Sequence, residues 1–213
     1  MPAPASPKYV VRRDRILFLD NEESCWVEGP PDGQRAEVIE IGIAELDVES
    51  LEIRRAKSFL VRPQYSTISP YCTELTGHSD ESLRKHGRPL PEVFRSIEKE
   101  FGPGSKAWIA WGRDRRSIDR DAALKGVTSP FSAAYVDLGL YVSLTLGLGR
   151  SVGLTEAMAL HGMERSGRIH SGVDDAVDTA RLWAEIARRS RDILLTPAPE
   201  EDPEPGVSDA PNP

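Results

Sequence analysis

Apolar and polar positions alternate in the first third of the chain and take a helical spacing towards its end. Arg15-Ile-Leu-Phe-Leu-Asp20 is a short apolar run closed by an acid, the pattern of a central buried strand. Ile39, Ile41 and Ile43 alternate through a second strand that continues past Leu46 to a turn near Glu49-Ser50. Leu51 to Val61 returns as a third, so these three predict an antiparallel meander. Helices are predicted from Pro70 to Thr76, ending at Gly77, and from Pro91 to Phe101. Ser105 to Trp111 is another apolar strand, Asp114 to Leu124 a helix, and Ala134 to Leu138 a fifth strand. Helices then fill the remainder: Leu138 to Leu146, Thr155 to His161 with Gly162 as C-cap, and a last one from about Val173 to Arg189. That last helix carries Val173, Ala176, Val177, Ala180, Trp183 and Ala187 along one face. The expectation is an α/β domain: a mixed five-stranded sheet, three antiparallel strands then two parallel, flanked by helices.

Length and composition set the limits of that domain. The chain has 213 residues, enough for one ordinary domain with tails. Residues 1–11 read as a flexible segment, 12–192 as the domain, and 193–213 as a disordered, acidic, proline-rich tail with little apolar surface to bury. Phe131 to Gly149 is the most apolar stretch, but it contains Asp137 and several glycines, so a buried helix is expected there rather than a bilayer span. No apolar core with a cleavage site follows the N-terminus, and two cysteines, Cys25 and Cys72, are too few for a disulfide scaffold. Free thiols and the missing leader point to the cytoplasm, with no membrane partner. Net charge is −7, and five of the acids lie between Thr196 and Pro213, leaving −2 for the rest. Four carboxylates neutralised by two divalent ions would turn that remainder to +2, so acidity does not exclude a polyanionic partner.

Candidate chemistry sits at the ends of the predicted elements, where α/β folds place their sites. Asp20 and Glu22 lie two apart at the end of the first strand, so both carboxylates face one side. Such a pair either holds a cation, with oxygen ligands favouring Mg²⁺ or Mn²⁺ over zinc, or is a solvated strand end. His170 lies in a glycine-bearing loop and Asp175 in the first turn of the last helix, where a carboxylate also serves simply as a cap. Asp114 follows the apolar strand Trp108-Ile-Ala-Trp111 and reads, taken alone, as the N-cap of the next helix.

Taken together, Asp-x-Glu, then Asp, then His-x4-Asp resembles the DEDDh superfamily of 3′–5′ exonucleases, which have the RNase H-like fold. Leu19-Asp-Asn-Glu-Glu-Ser-Cys-Trp26 and Tyr71-Cys-Thr-Glu-Leu-Thr-Gly77 are similar to stretches of its ERI-1-like exoribonuclease branch. Ala110-Trp-Gly112 and Tyr135-Val-Asp-Leu138 fit as well, so the resemblance runs from about Ile16 to Ala187. It implies that Asp20, Glu22, Asp114 and Asp175 hold two Mg²⁺ or Mn²⁺ ions and that His170 is the general base. The family usually has two residues between the glycine and the catalytic Asp, whereas only Arg113 separates Gly112 from Asp114. Asp119 and Asp121 are fallbacks for that ligand. Arg113 stands where the branch often has an aromatic residue. The same resemblance implies that Glu23, Ser24, Leu75 and Thr76 contact the terminal sugar and base, with Arg113 beside them; Cys25 and Trp26 are expected in the core. Arg115, Arg116 and Arg120 form a basic cluster suited to phosphates or to a solvated helix face. His78, His86 and His161 have no acidic constellation that recommends them.

The activity implied is metal-dependent release of nucleoside 5′-monophosphates from single-stranded 3′ ends, RNA by resemblance to the branch. The metal ions clamp the attacking and leaving oxygens, and neutral His170 takes the proton of the attacking water. Rival readings are a DNA 3′–5′ exonuclease of the same mechanism, a non-catalytic nucleic-acid-binding module retaining the fold, and a phosphatase on small esters.

Overall fold

A computed structural model describes residues 11–195 of the chain, with side chains through Leu194. The proposed segments 1–11 and 193–213 fall almost wholly outside those residues. The sheet is built on the strands expected: β1 (Arg12–Glu23), β2 (Val38–Asp47), β3 (Ile53–Leu60), β4 (Lys106–Ala110) and β5 (Tyr135–Asp137). Their spatial order is β3-β2-β1-β4-β5. β1 pairs antiparallel with β2 and parallel with β4, so the run Ile16 to Leu19 is hydrogen-bonded on both edges. It is covered on both faces too, which is why it reads as continuously apolar rather than alternating.

Leu17 and Leu19 point into one core layer beneath α3 (Leu90–Phe101) and α4 (Asp114–Leu124), with Phe94, Ile97, Phe101 and Trp108. Phe18 points into the other, formed by α5 (Leu138–Thr145), α6 (Leu154–Leu160) and α7 (Gly172–Leu195). A small third cluster gathers Ile39, Ile68, Cys72 and Leu83, with Cys25 against it. Trp26 is half-buried and belongs to none of the three.

Helix ends follow local chemistry. α1 (Pro70–Thr76) begins with the Ser69 hydroxyl accepting from Cys72 N–H and ends at Gly77 in the left-handed region, φ 76°. α2 (Asp80–His86) is absent from the sequence expectation because it buries only Leu83 and shows no apolar stripe. Its signals are of another kind: Ser79 as N-cap, Asp80 and Glu81 in the first turn, and Arg84, Lys85 and His86 in the last.

Two expectations need correction. The stretch expected as a buried helix is buried on one side only: α5 hides Leu138 and Val142 but exposes Leu140, Tyr141 and Leu144. The sheet beside it ends at the three-residue β5, so among the described residues no further layer covers that face. α7 also runs about a turn and a half beyond Arg189, carrying residues 193–195 that the sequence reading places in the tail. Arg191 fastens this extension by donating to the carbonyls of Val48 and Glu49. Among the described residues no helix is long and apolar enough to cross a membrane.

Candidate active site

Asp20 and Glu22 share the face of β1 that carries Phe18, so both are directed towards α7. The first turn of α7 comes down on the sheet at that point. Gly42 on β2 lies opposite Asp20 in register, and a Cβ there would sit 2.0 Å from the carbonyl carbon of Gly172. A Cβ on Gly172 would stand 3.1 Å from Gly42 N and 3.3 Å from Asp20 O. Two bare backbones in contact therefore bring Asp175 beside the end of β1. Glu22, His170 and Asp175 each offer a ligand atom, and these atoms all lie within 4.8 Å of one another.

His170 occupies the left-handed region, φ 60°, unusual for a residue with a side chain. Its N–H donates to Asp175 Oδ2 at 3.2 Å, which ties the loop to the helix start. Asp114 opens α4, and its Oδ2 accepts from Trp111 N–H at 3.3 Å. The shortened motif does not turn it away: among the charges acting on Asp20, that of Asp114 is the largest. Neither fallback comes close. Asp121 is buried against Lys125 and the Val38 N–H, and Asp119 pairs with Arg115 on the outer face of α4.

Burial, then mutual repulsion, governs the carboxyl groups. Asp20 is raised well above its usual range by burial and by Asp114, Glu22 and Glu40. Burial and Glu40 push Glu22 up to about 7. Burial pushes Asp114 to about 8, against the Trp111 N–H bond that lowers it. Asp20, Glu22 and Asp114 form no ion pair among the described residues. Converging carboxylates that outnumber the cations near them form a hard oxygen donor set, which fits divalent cations. His170 is lowered by desolvation and by Arg165 and Arg168, which favours the neutral ring.

Sequence reasoning missed three groups. Arg165 donates to Asp175 Oδ1, to Asp178 Oδ2 at 2.6 Å and to Thr155 Oγ1 at 3.3 Å. Glu40 lies directly across from Glu22 on β2 and is held by His78 Nε2 and Ser58 Oγ, each at 2.6 Å. An acid inside the apolar run Val38-Ile-Glu-Ile41 was the available sign of a buried partner. The third group is the pair Gly42 and Gly172.

The expected sugar and base contacts fare unevenly. Ser24 is buried, its Oγ accepting from Glu37 N–H and lying 3.0 Å from Ser66 Oγ. Thr76 donates its hydroxyl to Cys72 O at 2.8 Å, and Glu23 is held by Ser117 and Arg120 on the α4 side. These three side chains are taken up by bonds within the fold, and none of them is among the residues that line the cavity. Leu75 is half-buried, and its carbonyl accepts from Arg168 Nη2 at 3.0 Å, joining α1 to the His170 loop. Arg113 is exposed at the start of α4. Of the basic cluster, Arg115 lies over the Tyr135 ring and Arg120 pairs with Glu23. The cavity itself measures about 360 Å³, walled by Asp20, Glu22, Trp111, Arg165, His170 and Asp175 among others.

The chain and its fold have counterparts among known proteins. The sequence profile of the exonuclease family (RNase_T) matches residues 19–183. The 3′–5′ exonuclease Snipper of Drosophila melanogaster is 25% identical over 196 residues, covering 81% of this chain and 69% of that protein. The 3′–5′ exoribonuclease 1 of Rattus norvegicus is 28% identical over 194 residues, covering 85% of this chain; the chain spans 55% of that relative's length. Among solved structures, the nuclease domain of 3′hExo, a DEDDh family member bound to rAMP, superposes with a TM-score of 0.73 at 23% identity, covering 83% of this chain and 92% of that one. Cell-death related nuclease 4 superposes with a TM-score of 0.69 at 18% identity, covering 83% and 64%. The RNase H-like fold and the ERI-1-like resemblance expected from the motifs are both borne out.

Proposed function

This chain belongs to the exonuclease family, and from that premise we propose that it is a 3′–5′ exoribonuclease releasing nucleoside 5′-monophosphates from single-stranded ends. The observation that carries the proposal is the convergence of Glu22, His170 and Asp175 within 4.8 Å, beside Asp20. RNA as substrate is supported by the exoribonuclease names of several relatives. Asp20, Glu22, Asp114 and Asp175 would hold two ions, Mg²⁺ or Mn²⁺. Bound there, such ions supply charge neutralisation at the phosphoryl group and lower the pKa of an attacking water.

The protein's own groups do the remainder. A ring nitrogen of His170 accepts the proton of the attacking water, because desolvation and two arginines favour the neutral imidazole. The Asp175 carboxylate fixes the His170 backbone and so aims the ring at the cavity. The Arg168 bond to Leu75 O holds α1 against the same loop. With free thiols at Cys25 and Cys72, the cytoplasm is the proposed compartment.

The test is a gel of end-labelled RNA with and without Mn²⁺. Stepwise 3′ shortening is expected in the wild type. Asp20→Asn and His170→Ala should each lose roughly 10²-fold or more in rate while keeping the wild-type circular dichroism spectrum. Full activity in either variant refutes the catalytic role of the residue replaced, and internal cutting refutes the polarity. Matched DNA oligonucleotides cleaved as fast as RNA would move the assignment to a DNA-trimming enzyme.

A further inference from the structure

Beyond Trp111 the active-site cavity has a neighbour of about 670 Å³, and the indole forms a wall of both. That ring is held in place by its Nε1–H donating to Val152 O at 3.1 Å. The opposite wall is the uncovered face of α5, where Leu140 and Leu144, one turn apart, are 57% and 69% exposed. Two cations stand at the rim. Arg113 makes no ion pair among the described residues, and Arg150, steadied by Glu156, keeps 62% of its side chain exposed. The carboxylate in the lining, Asp137, is engaged as the cap of α5, its Oδ1 accepting from Gly112 and Leu140 N–H at 3.0 Å each.

We propose that this cleft is the track for the two nucleotides immediately upstream of the 3′-terminal one. Resting on the exonuclease reading, the proposal adds where the rest of the strand lies. A single strand alternates flat apolar bases with phosphates, and the cleft offers an apolar wall between two guanidinium groups. Adjacency decides for a polymer: a single side chain, Trp111, stands between the cleft and the active-site cavity. It also explains why apolar residues stay uncovered on α5 beside a charged rim. A competing route runs past Arg116, which lies with Arg115 and Tyr135 in a hollow on the far side of Gly112 and has no ion pair among the described residues.

The experiment compares KM for single-stranded RNA of two, four and eight nucleotides in Mn²⁺. The wild type should favour the longer substrates, with the gain complete by four. Leu140→Ser with Leu144→Ser should reduce the octamer's KM advantage over the dinucleotide about tenfold, the scale of one lost base contact. Arg150→Ala should also lower the slope of log KM against log salt by about 0.7. Both leucines are exposed, so an unchanged melting temperature is expected and verifies the fold. A double variant that keeps the full advantage, or an advantage lost in Arg116→Ala instead, overturns the track. If no oligonucleotide of any length is turned over, the exonuclease reading fails on its own. The track is then decided by anisotropy of a labelled octamer, which the double variant must bind about tenfold more weakly.

Discussion

At the scale of single residues, Arg165 gives the site its particular character. Its guanidinium holds one oxygen of Asp175 while the His170 N–H holds the other. A divalent ion taking Asp175 as ligand must therefore compete with a cation already in place. Arg165→Gln should bind Mn²⁺ about tenfold more tightly, since a positive charge within a few ångströms of the ion is removed. The shift of melting temperature with Mn²⁺ reads this without any turnover; weaker binding would make Arg165 an organiser of the ligand instead of its competitor. The variant should fold, because Asp178 keeps Arg181 and Ser166 as partners. Arg165 was invisible in the sequence for a simple reason. It lies ten residues from Asp175 in a glycine-bearing loop, and no periodicity relates the two. Asp20, Glu22, Asp114, His170 and Asp175 were legible because each belongs to a short motif at the end of an element.

Among the elements, α7 and β2 matter most, because their contact places Asp175. Gly42→Ala would put a methyl group 2.0 to 2.2 Å from the backbone of Gly172 and Val173, where no side-chain rotation relieves it. The expected loss is about 3 kcal/mol or more, read from urea unfolding, with activity falling further as the helix start lifts. Gly104→Ala, whose Cβ would meet only Pro130 O at an ordinary 3.6 Å, is the control and should change neither. The strands and most helices were readable from alternation and caps; the close approach was not, since a glycine inside a strand says only that something comes near. α5 teaches the converse lesson. Its apolar residues implied burial, but burial needs a covering layer, and the sheet stops at β5.

For the whole molecule, the acid cluster sets the dependence of stability on pH. Glu22 and Asp114 have folded-state values near 7 and 8, and Asp20 is also raised, all above the range of an unfolded carboxyl. The folded state then holds protons that the unfolded chain releases, so stability is full below about pH 4 for these groups and is lost as pH rises towards 8. The shift of Glu22 alone corresponds to roughly 3 kcal/mol. Glu37 and Asp178 are lowered by their hydrogen bonds and ion pairs and act in the opposite sense, at acid pH. In EDTA the melting temperature should peak near pH 5 and fall by several degrees at pH 8, with Mg²⁺ or Mn²⁺ reversing the fall. Asp114→Asn should flatten that decline while abolishing cleavage. A flat profile in the wild type would mean that the cluster is not under electrostatic strain.

Sequence alone determined what depends on near neighbours: the strands, most helices, the order of the motifs, and therefore the family. These follow from spacing along the chain, because period and capping are local physics. Tertiary structure decided what depends on distance through space. It determined that the charge of Asp114 still acts on Asp20 after a shortened turn, that Ser24 and Thr76 are bonded within the fold, that Arg165 takes hold of Asp175, and that one face of α5 lies open beside the cavity. Contacts between residues far apart in the chain exist only once two backbones have come to rest against each other, as those of Gly42 and Gly172 do.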